Sequence, residues 1–429
     1  MAAFLGMRGT GDWATNQRPE NWRQGILLEY PNGKAPLTAM QSMLKSESTD
    51  DPKFHWFTKA LPTQAGSVTD IYTDQGLGTS YVSGGSAGDI LYVKMAEALS
   101  DEIREGHEVL LRDTSDPDVD CIAVVNESVQ NGASSYIAVR LLEDDDNSSS
   151  NDLSDCDRVL VLSSGQAEGE AQPDAVAYDP TEYSNYTQIH ETSLELTRTA
   201  RKTRLRTREQ YKESKREALE IHSIEMEKQK FFGIYAMITG DNGKPKRFSR
   251  GIVPAIKEYA SSNSINMPTL TAHAGKTWLQ YGEEAIDTYL EQVFRFGGTE
   301  KMGFCGSGAL LGIQRLVKAV GFYNFDVKTV SYGIKVVEWV TPFGTLYLKS
   351  HPLFSYETTN RNAVVIVDPS GLKERPLDNT FFKPDKSYRS GGRSSIDGLK
   401  ESFLTEVGDE HHTLDGMMYW TGVGTDNSL

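Results

Sequence analysis
The sequence predicts an α+β protein of roughly two to four domains. Three observations carry this reading. Short β-branched runs cluster between residues 108 and 162, one long helical stretch starts at Thr207, and a later mixture of helices and strands returns to strands near the C-terminus. No regular series of βαβ units interrupts that order.

Composition sets the frame. A chain of 429 residues with 38% hydrophobic and 10% aromatic content can bury a real core. Its net charge of -16 favours solubility and opposes wholesale wrapping of nucleic acid, which needs basic surface to displace counterions. Cys121, Cys156 and Cys305 are far apart and lack zinc-ligand spacing, so they read as reduced thiols. Met1–Gly11 shows no secretion pattern, and no run reaches ~18 apolar residues.

Taken in order, the opening stretch carries Trp13, Trp22, Phe54, Trp56 and Phe57 among Gly, Pro and Asn, with one helix expected at Leu37–Lys45. Large aromatics on an irregular arm need another surface to cover them. Glu108–Leu111, Cys121–Val125, Ser135–Leu142 and Arg158–Leu162 follow as a small antiparallel β unit. Between the last two, Glu143–Asp157 is acidic and Ser-rich and reads as an exposed loop; the central Gly and terminal Glu of a calcium-binding EF-hand are missing. From Thr207, which opens a capping-box pattern with Gln210, Ile221, Ile224, Phe231 and Tyr235 mark one face of a helix to about Ala236. At ~1.5 Å per residue that helix would span roughly 45 Å. Helices are then expected at Pro254–Tyr259, Trp278–Phe294 and Ala309–Val320. Strands are expected at Val330–Val340, Thr345–Lys349 and Ala363–Val367, with a closing strand pair in Ser402–Val423.

Several stretches imitate chemistry. Lys301–Gly312 resembles a dinucleotide turn, with Asp326 twenty positions after Gly306. Its spacing is Gly-x-Gly-x-x-x-Gly and the strand before it is short, so a plain strand-to-helix turn is the better reading. Cys305 beside these glycines, with His273 or His351 elsewhere, suggests a thiol nucleophile, yet a lone Cys of this kind is more often a small buried apolar residue. His411 and His412 with Glu406, Asp409 and Glu410 suggest a metal cluster, but adjacent residues of a strand face opposite ways; a polar turn between closing strands is favoured. The run Arg198–Arg208 packs six basic side chains without an acid; it reads as a solvated basic stretch or as one that seeks an anionic partner, with the Glu143–Asp157 loop of the same or a neighbouring chain favoured over nucleic acid.

Seven short segments then fall in a fixed order: Arg18–Leu27, Phe54–Phe57, Asn185–His190, Phe304–Gly308, Trp339–Gly344, His351–Phe354 and Leu404–Gly408. In this order they resemble a family of tailed-phage major head proteins with the Hong Kong 97-type capsid fold. The resemblance implies an N-terminal arm over residues 1–62, an E-loop with a β-rich insertion over 63–180, and a peripheral domain with a spine helix over 181–245. An axial domain over 246–379 and peripheral return strands over 380–429 complete it. It also implies a non-enzymatic subunit that assembles with itself as hexamers and pentamers into an icosahedral shell around double-stranded DNA. Arms and E-loops would lie over neighbouring subunits, with portal, scaffold or decoration proteins as further partners and no membrane. The place would be the virion capsid, assembled in the bacterial host cytoplasm. It transfers no catalytic, cofactor-binding or metal-binding residue, no local motif indicates a self-crosslinking isopeptide, and no N-terminal scaffold domain is expected.

Overall fold
The computed structural model describes residues 35–42, 44, 46–59, 62–116, 118–145, 152–169, 173, 175–203, 210–320, 325–329, 335–385 and 398–429. Helix α1 (Pro36–Gln41) precedes strand β1 (Lys53–Thr58). Six strands follow: β2 (Ala65–Tyr72), β3 (Ile90–Met95), β4 (His107–Arg112), β5 (Asp120–Val129), β6 (Tyr136–Leu141) and β7 (Arg158–Ser164), with a single helical turn, α2 (Glu97–Ser100), after β3. Strands β8 (Thr181–Tyr186) and β9 (Gln188–Thr197) lead to α3 (Arg198–Lys202) and the long α4 (Gln210–Phe232). Next come β10 (Ala236–Thr239), β11 (Pro245–Phe248), α5 (Ile252–Tyr259), β12 (Ser264–Asn266), α6 (Trp278–Phe294), β13 (Glu300–Cys305) and α7 (Ser307–Val320). The chain ends through β14 (Phe325–Thr329), β15 (Lys335–Thr341), β16 (Gly344–Ser350), α8 (Pro352–Tyr356), β17 (Val364–Val367), β18 (Leu372–Lys383), β19 (Gly398–His411) and β20 (Met418–Thr421).

Two compact units result, residues 59–181 and the remainder. The first is a closed antiparallel barrel in the order β2-β3-β6-β5-β4-β7. The four strands expected from sequence are β4 to β7, and β2 and β3 close the ring. β2 escapes a periodicity reading because a bulge between Val68 and Asp70 breaks its alternation. Alternate residues such as Val93, Val109, Ala123 and Val139 fill the interior, as a period of two requires.

In the larger unit, seven strands form a mixed sheet in the order β12-β20-β17-β13-β16-β15-β14. All four residues of β17 are buried: Val364 and Ile366 pack with Trp278, Leu290 and Trp420, while Val365 and Val367 pack with Phe304, Phe231 and Ile256. A strand covered on both faces reads as a continuous apolar run. Helix α6 begins where expected because Thr277 and Gln280 close a capping box.

Three expectations are corrected. The strand expected at Val330–Val340 is the shorter β15, which starts at Lys335 and pairs with β14 ahead of it; residues 330–334 lie outside the described ones. The two closing strands do not pair with each other: β19 lies between β18 and β9, whereas β20 joins the seven-stranded sheet beside β17. Helix α4 ends at Phe232, not near Ala236, because Gly233 meets the chain at Ser249, where any Cβ would sit 2.5 Å from a carbonyl oxygen. Its 23 residues give about 35 Å of length. The expected capping residue Thr207 lies outside the described residues.

Candidate functional site
The glycine turn after β13 is filled by the protein itself. The amides of Gly308 and Ala309, which an anion at this helix start would need, both donate to the carbonyl of Arg361, at 3.0 and 3.1 Å. A Cβ on Gly306 would meet that same carbonyl oxygen at 2.2 Å, so Gly is demanded by close packing against residues 360–363. Cys305 is fully buried, and burial pushes its thiol up, away from the thiolate a nucleophile requires. We expect Cys305→Ala to keep the fold and cost about 1 kcal/mol through the small void it leaves; melting curves of mutant and parent check this, and a loss of soluble protein would refute it.

The histidine pair straddles the end of β19, with His412 opening the connection to β20. His411 is the last residue of β19, buried, with its imidazole lowered to about 3 by burial. His412 points the other way and pairs with Glu410 at 3.0 Å, and Glu410 also accepts from Arg375 at 2.6 Å. Among the described residues no three His, Cys, Asp or Glu converge on a metal position.

The acidic loop is not simply exposed. Asp145 is buried, accepting from the Tyr81 hydroxyl and from the Leu153 amide at 3.3 Å. Asp144 accepts from the Ala87 amide at 2.7 Å, and Glu143 from the Ile122 amide at 2.5 Å. These carboxylates therefore hold the barrel's own loops, while residues 146–151 lie outside the described ones. Arg198–Lys202 forms α3, whereas Arg204, Arg206 and Arg208 are outside the described residues. Trp13 and Trp22 are outside them too. Phe54 and Trp56 are buried within their own unit, where Trp56 stacks on Tyr183 at 6.0 Å, so these two arm aromatics serve the fold.

The most concentrated polar construction lies under α4, and sequence periodicity missed it. The expected face included Ile221, which is 43% exposed; the buried face instead carries Ala218, His222, Met226, Glu227, Lys230 and Phe231. Glu227, fully buried, accepts from the amides of Leu37 and Thr38 at 2.8 Å each and from the Thr38 hydroxyl at 2.6 Å. It thus caps α1 from 190 residues away. His351 Nε2 lies 2.9 Å from the same carboxylate. One turn on, buried Lys230 donates to Gln41 and Glu374 at 2.6 Å each and lies 3.9 Å from Asp409. Gln41 in turn donates to Asp409 at 3.1 Å. Burial pushes Asp409 up to about 6 against the pull of Lys230; burial also disfavours the Lys230 charge, but Asp409 and Glu374 outweigh it and hold its pKa above the ordinary value. Asn185 ties in the neighbouring backbone, donating to the carbonyls of Arg250 and Asp409 at 3.2 and 2.8 Å.

This clasp fastens α1 to the long helix and to β18 and β19. Two of its members, Asn185 and His351, belong to the short segments singled out above, which was the available signal. A further segment, Leu404–Gly408, brings Gly408 against the ring of Phe54. Such an arrangement satisfies its buried charges internally and fixes α1 against the long helix.

The family described as SU10 major capsid protein matches residues 9–395. The chain belongs to the SU10 major capsid protein family. This capsid protein is 26% identical over 380 residues to the major capsid protein of Pseudomonas phage PaMx41, covering 88% of this chain and 83% of that relative. Among solved structures, the capsid of cyanophage P-SCSP1u aligns with a TM-score of 0.39 at 10% identity, over 61% of this chain and 80% of that one. The procapsid of satellite phage P4, which includes the size determination (Sid) protein, aligns at 0.37 and 11%, over 61% and 78%. The family assignment rests on the sequence match alone. The capsid protein is a structural subunit of the virion shell of a tailed phage.

Proposed function
We propose that this capsid protein builds the head as hexamers and pentamers that close into an icosahedral shell of the Hong Kong 97 type. The observation that supports it most is the family match across residues 9–395, together with a long helix braced by a three-stranded sheet. Residues 1–62 are its N-terminal arm, 63–180 the E-loop carrying the barrel, 181–245 and 380–429 the peripheral domain with α4 as spine, and 246–379 the axial domain. Assembly takes place in the bacterial host cytoplasm, with a portal and with separate scaffold or decoration proteins as further partners. Packaged duplex DNA meets the inner face weakly and without sequence preference, since a net charge of -16 opposes tight binding; the basic run Arg198–Arg208 is assigned first to an acidic surface of the same or a neighbouring subunit. The test is electron microscopy of the chain expressed in a bacterial host, alone and with the other head proteins. Rings of five and six subunits, or closed shells, are expected. A chain that stays monomeric in both settings overturns the proposal.

A further inference from the structure
The barrel unit, which the chain enters and leaves through strands β1 and β8 paired with each other, is short of cations. Residues 59–181 contain 24 Asp and Glu against 6 Lys and Arg, a net of -18. Among the described acids of the unit only two are buried, Asp145 at 4% exposure and Asp152 at 9%. They lie close together. The amide of Leu153, next in the chain to Asp152, donates to Asp145 at 3.3 Å, and the Asp145 charge adds to burial in raising the Asp152 carboxyl above its ordinary range. Burial and the bond to Asp145 push the Tyr81 hydroxyl up, and the Asp152 charge adds to that rise.

The two carboxylates are unequally served. Asp145 accepts from the Tyr81 hydroxyl and the Leu153 amide. The Oδ1 of Asp152 is buried and has no hydrogen-bond partner, and no cation offsets the influences that raise its carboxyl. A bare carboxylate oxygen out of water is costly, and a second carboxylate beside it raises the cost. A cation between them removes both penalties, and the surplus of acids in the unit concentrates cations around the pair. We propose that Asp145 and Asp152 bind a calcium ion, with one oxygen from each carboxylate and with water completing the shell. Calcium suits the pair because it takes oxygen ligands in irregular geometry, whereas magnesium demands a near-ideal octahedron and gives up water reluctantly. No third acid joins them among the described residues, so the dissociation constant should be about 10⁻⁴–10⁻³ M. The proposal does not depend on the capsid reading.

The full-length protein, stripped with a chelator, tests it. Calcium at several times that constant is expected to raise the melting temperature of the wild type by a few degrees. It should do the same for Asp118→Asn, which neutralises an exposed acid of the same unit, and leave Asp152→Asn unmoved. Without calcium, Asp152→Asn should melt no lower than the wild type, since the change relieves the repulsion. The absence of a calcium-dependent shift in the wild type overturns the proposal. An equal shift in Asp152→Asn overturns it too, by placing the ion among the surface acids. Should Asp152→Asn fail to fold, terbium decides. An ion held against Asp145 is excited through Tyr81, so tyrosine-excited emission that calcium displaces is expected from the wild type and not from Tyr81→Phe. Equal emission from the two, or none from the wild type, overturns the proposal.

Discussion

Replacing Lys230 by Met is expected to destabilise the subunit by about 3–5 kcal/mol, the cost of removing one member of a buried ion pair and leaving the others without compensation. Lys230 and Asp409 are both buried, and Glu374 is mostly covered, so solvent cannot take over the role of the lost ammonium. The pH dependence carries a second signature. Asp409 has a folded pKa of about 6, above its unfolded value, so the folded state binds more protons between about pH 4 and pH 6 and its contribution to stability falls as pH rises through that window. Without Lys230 the main influence holding that value down is gone, and the window moves upward. The deficit of the mutant relative to wild type should therefore shrink on acidification from about pH 7 to about pH 5. His190 and His411, lowered by burial to about 4 and about 3, act in the opposite sense, destabilising the fold as pH falls below ~6.5; His411 is common to both proteins and cancels in the difference, whereas loss of the Lys230 charge also relieves His190, which narrows the deficit further on acidification. Denaturant titrations at several pH values measure it; a small, pH-independent deficit would show that the pair is not coupled as the geometry indicates.

Truncation should separate the arm from the clasp. Removing residues 1–34 is expected to leave a folded, soluble subunit, because α1 and every bond to Glu227 described above remain. Removing residues 1–45 takes Leu37 and Met40, both fully buried, along with the Leu37 and Thr38 amides and the Gln41 amide group. Two buried apolar side chains are worth roughly 2 kcal/mol each, and the stranded carboxylate and ammonium add several more. That total is comparable with the net stability of a whole domain, roughly 5–15 kcal/mol. The longer truncation should accumulate as insoluble protein while the shorter one purifies with a cooperative melt. Equal solubility and equal melting temperature for the two would show that α1 is dispensable.

What the sequence made legible follows from how local the determinants are. Helix α6 is visible to the residue because its cap is three positions wide and its apolar stripe is regular. Strands β4 to β7 stand out as β-branched runs. The buried face of α4 was misjudged for a physical reason. His222, Glu227 and Lys230 look like solvent-facing residues, and only partners as distant as Thr38, His351 and Asp409 make their burial tolerable. Likewise, Asp145 reads as one of a row of surface acids until Tyr81 is placed against it. Periodicity reports hydrophobicity and cannot report a pairing made across the chain.

The pairing of β1 with β8 also bears on how the polypeptide finds its structure. Those strands flank the whole barrel in sequence, so closing them from an unfolded chain means closing a very long loop. Relative to a short hairpin, loop-closure entropy sets that extra cost at about 3 kcal/mol. If the barrel folds first on its own local contacts, its two ends are brought together and the effective separation falls to that of a tight connection. The order of events on the ribosome suits this: the barrel emerges complete before β8, and the ribbon can then zip from the barrel outward.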